Sequence, residues 1–233
     1  MKTLMSYTND FIGLIYPSIC VGCGNPLWKN ERFICTFCDF HLPRTNFHQD
    51  TDNPLSRIFW GRSQIESAAA YLFFNKGNTV QHLVHALKYQ GRKDIGIWLG
   101  KQYGIYLKHS QNFSSIEYIL PVPLHPRKLM IRGFNQSEQF AIGLTSSMNV
   151  PIENQVLYRQ KTSETQTKKS RFLRWQNVEG IFAVKEYQKL EGKHILLVDD
   201  VVTTGATLES CIAALSRIPG IRISLATIAI AIG

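Results

Sequence analysis

The chain has 233 residues, of which 44% are hydrophobic and 18% are charged, so it can bury a core and a largely disordered chain is excluded. Its formal net charge of +9 favours anionic partners such as phosphates, nucleic acid or a membrane surface, without choosing among them. No apolar run is long enough to span a membrane, and the early run at residues 11–16 is too short for a signal peptide. We therefore expect a cytoplasmic protein without membrane insertion.

Composition divides the chain into three parts. Residues 1–45 hold four of the five cysteines and several turn residues. Residues 46–65 contain a polar stretch that is interrupted by Pro54, and they are predicted to be a linker. Residues 66–233 alternate between patterns typical of strands and of helices, and they are predicted to form the larger domain.

The N-terminal cysteines, Cys20, Cys23, Cys35 and Cys38, follow the pattern C-x2-C-x11-C-x2-C. In a reducing compartment, such paired CxxC motifs favour a metal site over a disulfide. Four thiolates can surround one Zn²⁺ tetrahedrally, and because they leave no open position the metal should be structural. The zinc would supply folding energy that so short a segment cannot gain from a core. A disulfide or redox pair and an iron–sulfur cluster are the alternatives.

The larger domain shows apolar periodicity of both kinds. In chain order it predicts a strand at 68–74, helices at 79–88 and 95–107, a strand at 118–122, a helix at 135–147, a strand at 195–198, a helix at 206–216 and a strand at 221–230. Strands that alternate with helices predict an α/β fold with a mainly parallel sheet and helices on both faces. Binding sites in such folds lie at the carboxyl ends of the strands.

The string ILLVDDVVTTGAT at residues 195–207 joins one predicted strand to a helix. Backbone N–H groups at the start of that helix, threonine hydroxyls and the close approach that Gly205 permits suit a bound phosphate. The carboxylates of Asp199 and Asp200 suit the vicinal hydroxyls of a ribose attached to that phosphate. Ordinary helix capping is the alternative for any single residue of the string. The predicted phosphate-binding residues are Val201, Val202, Thr203, Thr204, Gly205, Ala206 and Thr207.

This string resembles the signature of the type I phosphoribosyltransferases, which use 5-phosphoribosyl-1-pyrophosphate (PRPP). The resemblance implies that Asp199 and Asp200 hold the ribose hydroxyls and that residues 203–207 hold the 5′-phosphate. A phosphate loop of the GxxxxGK[ST] type is excluded, because no such string occurs.

Three basic strings at residues 87–94, 121–137 and 154–178 fit the pyrophosphate end of such a ligand. Pyrophosphate usually binds together with Mg²⁺, and preorganised cations would stabilise it as a leaving group. A solvated surface charge is the alternative for any single basic residue. The residues predicted to contact this end of PRPP are Lys88, Tyr89, Arg92, Arg127, Lys128 and Arg132.

Several strings, spread over nearly the whole chain, resemble the competence protein F (ComF) family, which includes the GntX-like proteins. They are YPSICVGC at 16–23, CTFC at 35–38, LKYQGR at 87–92, PVPLH at 121–125, RGFNQ at 132–136, Arg171 with the Asn177–Val178 pair, and the phosphate string. The resemblance implies a type I phosphoribosyltransferase fold behind a small zinc-ribbon-like module with four cysteines. It also implies a role in the uptake of transforming DNA.

Residues 159–171 resemble the flexible flap of glutamine-dependent amidophosphoribosyltransferases. By that resemblance, Lys161, Gln166 and Arg171 belong to a flap that closes over the bound substrate and excludes water. A surface loop without a catalytic role is the alternative.

Two hypotheses follow for the whole chain. The first is an active phosphoribosyltransferase, in which pyrophosphate leaves the anomeric carbon of PRPP while Asp199 and Asp200 position the ribose. The second is a non-catalytic protein of the same fold, which binds a ligand containing ribose 5-phosphate or handles single-stranded DNA with a helicase partner. The sequence carries no signature of an acceptor substrate.

Overall fold

A four-stranded parallel β-sheet forms the centre of the molecule in the computed structural model, which describes residues 17–75, 77–160 and 180–231. Its strands lie in the order β1 (Ser67–Phe73), β6 (Arg222–Ile230), β5 (His194–Val202) and β2 (Tyr118–Pro121). Nearly every residue of β1 and β6 is buried, which explains their almost continuous apolar sequences. The predicted α/β fold with a parallel sheet is therefore confirmed.

Helices flank the sheet and connect its strands. They are α1 (Thr36–Phe40), α2 (Pro54–Arg57), α3 (Thr79–Tyr89), α4 (Lys93–Lys108), α5 (Pro126–Arg132), α6 (Gln136–Met148) and α7 (Ala206–Leu215). A separate antiparallel pair is formed by β3 (Leu157–Arg159) and β4 (Phe182–Val184), and short 3-10 helices lie at Phe47–Gln49 and Tyr187–Leu190. No helix in the described ranges is both long enough and apolar enough to cross a membrane.

Helices α4 and α6 cross at very short range because glycines face each other. A Cβ atom added to Gly100 would lie 2.2 Å from the Phe140 carbonyl oxygen. One added to Gly143 would lie 2.2 Å from the Ile97 carbonyl oxygen. Helix α6 also packs on β2 and β5, so this crossing fixes the helix against the part of the sheet that carries the candidate site.

Two elements differ from the predictions. Strand β5 continues to Val202 rather than ending at residue 198, since Asp199, Val201 and Val202 still lie in register with β6. Helix α5 was not predicted; Pro126 occupies its first turn and Gly133 ends it in the left-handed conformation. The second basic string therefore lies partly on a helix instead of an irregular loop.

Residues 46–65, which the sequence predicts as a linker, are packed against the sheet. Asn53 caps α2 and donates a hydrogen bond from its amide to the Ala68 carbonyl oxygen at 2.8 Å. Leu55 and Phe59 are fully or almost fully buried. The polar composition of this segment reflects capping of α2 rather than an extended connection, while the domain boundaries themselves stay a prediction.

Candidate functional site

The carboxyl end of β5 presents two adjacent aspartates held in different ways. Asp199 Oδ1 accepts hydrogen bonds from the Ser137 hydroxyl and from the Asp200 N–H, both at 2.8 Å. Asp200 Oδ2 lies 2.9 Å from Lys88 Nζ, and its Oδ1 accepts from the Val201 N–H. Among the described residues, none donates to Asp199 Oδ2. That oxygen is therefore free to accept a hydrogen bond from a ligand.

Burial raises the pKa of Asp199 to about 7, and the neighbouring Asp200 carboxylate raises it further. The Asp200 N–H, the Ser137 hydroxyl and the Lys88 ammonium act in the opposite direction. Asp199 therefore titrates close to neutral pH, where a small change in its surroundings changes its charge.

The loop after β5 forms a small hollow at the start of α7. Gly205 has a φ of +78°, a conformation that favours glycine. A Cβ atom here would lie 2.7 Å from the Ile58 side chain and 3.1 Å from the Phe59 ring. The loop therefore packs against Ile58 and Phe59, which belong to the segment predicted as a linker. The residues that line the hollow are Asp199, Val201, Val202, Thr203, Thr204, Gly205, Ala206, Thr207 and Leu208.

A second, strongly basic cavity of about 250 Å³ adjoins the hollow and shares Asp199, Val201 and Thr207 with it. Its lining residues are Lys88, Val122, Pro123, Leu124, His125, Lys128, Arg132, Gln136, Ser137, Arg159, Asp199, Asp200, Val201 and Thr207. Lys128 and Arg159 have no carboxylate partner in the part of the chain that the structure describes. The site therefore joins a loop suited to one phosphate with a cavity that has unneutralised cations.

Not every predicted contact residue lies in this cavity. Lys88, Lys128 and Arg132 line it, whereas Arg127 does not. Tyr89 is 65% exposed, and the Arg132 guanidinium lies 5.3 Å from its ring centre.

Arg92 is also outside the cavity lining, and its guanidinium has other partners. It pairs with Asp94 at 3.2 Å and lies 5.5 Å from the centre of the Phe33 ring. The predicted flap residues Lys161, Gln166 and Arg171 lie outside the described residues.

Gln136, Ser137 and Arg159 line this site, yet the sequence only placed them within its second and third basic strings and did not predict them as contact residues. Ser137 could have been found, because it lies in the first turn of a predicted helix that begins near a strand end. Arg159 lies at the end of β3, a strand too short to leave a periodic pattern. Its position opposite β5 depends on tertiary packing that local sequence does not encode.

The four N-terminal cysteines are brought together as predicted. The sulfur atoms of Cys20, Cys23, Cys35 and Cys38 all lie within 4.8 Å of one another. The Cys35 N–H donates to the Cys20 sulfur at 3.2 Å. Burial opposes ionisation of Cys20, but backbone N–H groups that donate to its sulfur lower its pKa to about 7. This donor set could hold one metal ion, with four sulfur ligands and no open position.

The cysteine cluster packs against helices α3 and α4. The Gly22 carbonyl oxygen lies 2.9 Å from His82 Nδ1, and Phe33 lies 5.8 Å from Trp98 between ring centres. Because Arg92 lies over the same Phe33 ring, the cluster also contacts the turn between α3 and α4 that follows Lys88. Through these contacts, the cysteine cluster supports the end of α3 that carries Lys88, one of the residues lining the basic cavity.

Comparison with known families agrees with this arrangement of strand, loop and helix. The family model described as "Phosphoribosyl transferase domain" matches residues 135–230, which include α6, β5, the loop and α7. The parallel sheet with flanking helices thus has the phosphoribosyltransferase fold that the sequence predicts.

Curated relatives identify the family to which the chain belongs within the phosphoribosyltransferase fold. "Competence protein ComFC" of Bacillus subtilis is 36% identical over 195 residues, which cover 82% of this chain and 74% of that protein. "DNA utilization protein YhgH" of Escherichia coli K12 is 27% identical over 211 residues, which cover 84% of this chain and 89% of that protein. The chain belongs to the competence protein F (ComF) family.

Among solved structures, the glutamine PRPP amidotransferase of B. subtilis complexed with ADP and GMP has a TM-score of 0.42 and 18% identity. That match covers 60% of this chain and 30% of the amidotransferase chain. An adenine phosphoribosyltransferase has a TM-score of 0.39 and 12% identity, covering 60% of this chain and 71% of that chain. These matches concern the arrangement of strands and helices only.

Proposed function

We propose that this protein binds PRPP at the carboxyl edge of its sheet and transfers the phosphoribosyl group. The main support for the proposal is that the hollow formed by the loop at residues 201–207 directly adjoins the basic cavity. Asp199 lines both parts of the site, and Asp200 beside it lines the basic cavity. A ligand with a phosphate at one end, a ribose in the middle and a pyrophosphate at the other end matches this order.

Each part of the ligand has protein groups suited to it. The N–H groups and hydroxyls of residues 203–207 bind the 5′-phosphate. Asp199 and Asp200 accept hydrogen bonds from the ribose hydroxyls. Lys88, Lys128, Arg132 and Arg159 surround the pyrophosphate, and Mg²⁺, when it is bound with PRPP, supplies further positive charge to that group.

The reaction is displacement at the anomeric carbon. The bond from that carbon to the pyrophosphate oxygen breaks, a bond to an acceptor nucleophile forms, and the nucleophile releases its proton. Negative charge develops on the departing pyrophosphate, so the fixed cations of the cavity stabilise the transition state more than the bound substrate. Asp199 and Asp200 hold the ribose in place while positive charge develops on the ring.

The four cysteines are proposed to hold one structural Zn²⁺. Support comes from four sulfur atoms that all lie within 4.8 Å of one another and from backbone N–H groups that favour the thiolate of Cys20. Substantially less than one zinc per chain after purification without chelators would refute this part of the proposal.

The names of the relatives, which refer to competence and DNA utilization, support a role in DNA uptake. We further propose that the protein acts in the cytoplasm, with single-stranded DNA and a DNA-uptake helicase as its candidate partners. The net charge of +9 attracts nucleic acid as well as phosphates, so the second candidate function is that the protein handles single-stranded DNA without catalysis. A salt-dependent gel shift that persists in an Asp199→Ala/Asp200→Ala variant would support that alternative.

Calorimetric titration with PRPP and Mg²⁺ tests the main proposal. We expect wild-type protein to bind with measurable heat and the Asp199→Ala/Asp200→Ala variant to lose at least about tenfold in affinity, since two ribose acceptors are removed. A Glu191→Gln variant changes an exposed acid and serves as the control. Absence of heat and of any thermal shift in the wild type would refute PRPP binding, and release of pyrophosphate on addition of an acceptor would establish turnover.

A further inference from the structure

We propose that Ser137 is a positioning residue that keeps the Asp199 carboxylate oriented and ionised for the ribose of the ligand. The inference rests on the proposed function, because it assigns a role within the same site. It starts from one contact across the fold, in which the Ser137 hydroxyl of α6 donates to Asp199 Oδ1 of β5 at 2.8 Å.

The position of Ser137 is itself fixed by the protein. Asn135 caps α6 by accepting a hydrogen bond from the Ser137 N–H at 3.1 Å. The same Asn135 side chain donates to the Val122 carbonyl oxygen, just beyond the end of β2, at 2.9 Å. Ser137 and Asn135 are both buried. The hydroxyl therefore reaches Asp199 from a helix start that is tied to the neighbouring strand.

The hydrogen-bond pattern decides which oxygen the ligand can use. Asp199 Oδ1 already accepts two hydrogen bonds, from Ser137 and from the Asp200 N–H. Asp199 Oδ2 has no donor within the described ranges and Asp199 lines the cavity, so this is the oxygen left to accept a hydrogen bond from a ligand there. A protonated Asp199 would present one donor in place of an acceptor and would pair less well with a ribose hydroxyl.

Several charged or titratable groups lie around Asp199, and their effects oppose one another. Asp200 disfavours its ionisation, while Lys88 favours it. Cys211 of α7 is fully buried nearby, and burial raises the pKa of its thiol well above the ordinary value, so it stays neutral. The remaining titratable groups of the shared cavity are His125, Lys128, Arg132 and Arg159.

Ser137 differs from these groups because it donates a hydrogen bond directly to the carboxylate without changing the net charge. Such a bond stabilises the ionised form. Helix α6 adds to the effect, since its N-terminal turn lies against Asp199 and its dipole favours a negative charge there.

The test compares Ser137→Ala with Ser137→Thr, which keeps the hydroxyl, and with Ser146→Ala as a control. Ser146 lies on the same helix, is exposed and hydrogen-bonds only within the helix, to the Ile142 carbonyl oxygen at 3.0 Å. PRPP affinity is measured by calorimetry from about pH 6 to about pH 9, a range that spans the titration of Asp199. The carboxylate of Asp199 is followed by ¹³C NMR, with Asp199→Asn used to assign its signal.

We expect Ser137→Ala to raise the NMR titration midpoint by roughly half to one pH unit and to move the pH dependence of PRPP affinity upward with it. The loss of affinity should therefore be roughly three- to tenfold near pH 6 and smaller near pH 9. Ser137→Thr should restore most of the wild-type profile, and Ser146→Ala should leave it unchanged.

An unchanged NMR midpoint in Ser137→Ala would overturn the inference, as would an affinity loss that is the same at every pH. Failure of the proposed function has a different signature, because the wild-type protein would then show no PRPP binding at all. In that case the NMR midpoints alone still decide whether Ser137 controls the ionisation of Asp199.

Discussion

At Asp199, the proposed binding of a ribose hydroxyl favours the ionised carboxylate, whereas the stability of the fold favours the protonated form. Its burial beside Asp200 raises its pKa to about 7, so at neutral pH the folded protein holds a carboxylate that would be more stable in water. An ionised Asp199 is nevertheless the form that accepts a hydrogen bond from a sugar hydroxyl. The proposed role of Asp199 in ribose binding would therefore come at a cost to the stability of the fold.

Replacement of Asp199 by Asn should make this cost visible. Because the folded pKa lies above the unfolded one, the wild-type protein loses stability as pH rises from about 4 to about 7. We expect Asp199→Asn to be more stable than wild type by roughly 1–2 kcal/mol near pH 8 and to show little difference near pH 4. Urea unfolding across this pH range measures the difference, and a constant gap at all pH values would contradict the expected mechanism.

Gly205 is the residue on which the shape of the phosphate-type loop depends. Gly205→Ala would combine a strained φ with a collision against Ile58 and Phe59. We expect a loss of roughly 2 kcal/mol in unfolding free energy and weaker binding of inorganic phosphate.

Gly192→Ala is the matched control for this change, because Gly192 has a φ of +68° with no atom near its added Cβ. The unfolding free energy of Gly192→Ala should fall by about 1 kcal/mol, which is the cost of the strained φ alone. Phosphate binding should be unchanged. Equal effects of the two substitutions on phosphate binding would show that the contact with Ile58 and Phe59 is unimportant.

At the level of elements, the crossing of α4 and α6 determines where the N-terminal turn of α6 meets the sheet. Gly100→Ala places a methyl group 2.2 Å from the Phe140 carbonyl oxygen, a distance that only separation of the helices can relieve. We expect a loss of about 3 kcal/mol or more in unfolding free energy, measured by urea denaturation. Gln102→Ala, two residues along the same helix, should change stability by less than about 0.5 kcal/mol.

The elements themselves were largely predictable, since their apolar spacing is strong. Strand β6 and helices α3, α4 and α6 all begin and end within two residues of the predicted limits. The end of β5 was placed too early because Asp199 and Asp200 interrupt its apolar run, although their backbone still pairs with β6.

Which residues come together at the candidate site was only partly predictable from the sequence. Motifs at the ends of predicted strands located Asp199, Asp200 and the loop, since parallel strands share one functional edge. Arg92 was predicted from the basic string at 87–94 and its family resemblance, whereas its position depends on Phe33 and Asp94. The packing of residues 58 and 59 behind the loop had no local signal, because it joins segments that are distant in sequence.

Across the whole molecule, the cysteine cluster is coupled to the basic cavity through α3 and α4. If the four cysteines hold Zn²⁺ as proposed, its removal with a chelator should loosen the contacts of Gly22 with His82 and of Phe33 with Trp98. We expect the midpoint of thermal unfolding to fall by roughly 5–10 °C and amide hydrogen exchange to accelerate around residues 79–92. Restoration by added Zn²⁺ is the control, and unchanged exchange in that region would argue against the coupling.

The pairing of β1 with β6 has a consequence for the order in which the protein can mature. Ser67 lies in register with Ser224, so β1 is synthesised long before β6, the strand with which it pairs. Strand β5 lies between β6 and β2, and the loop at its end is backed by Ile58 and Phe59, which leave the ribosome long before it. A nascent chain therefore cannot complete this edge of the sheet until β6 has been synthesised, and until then β1 lacks its strand partner.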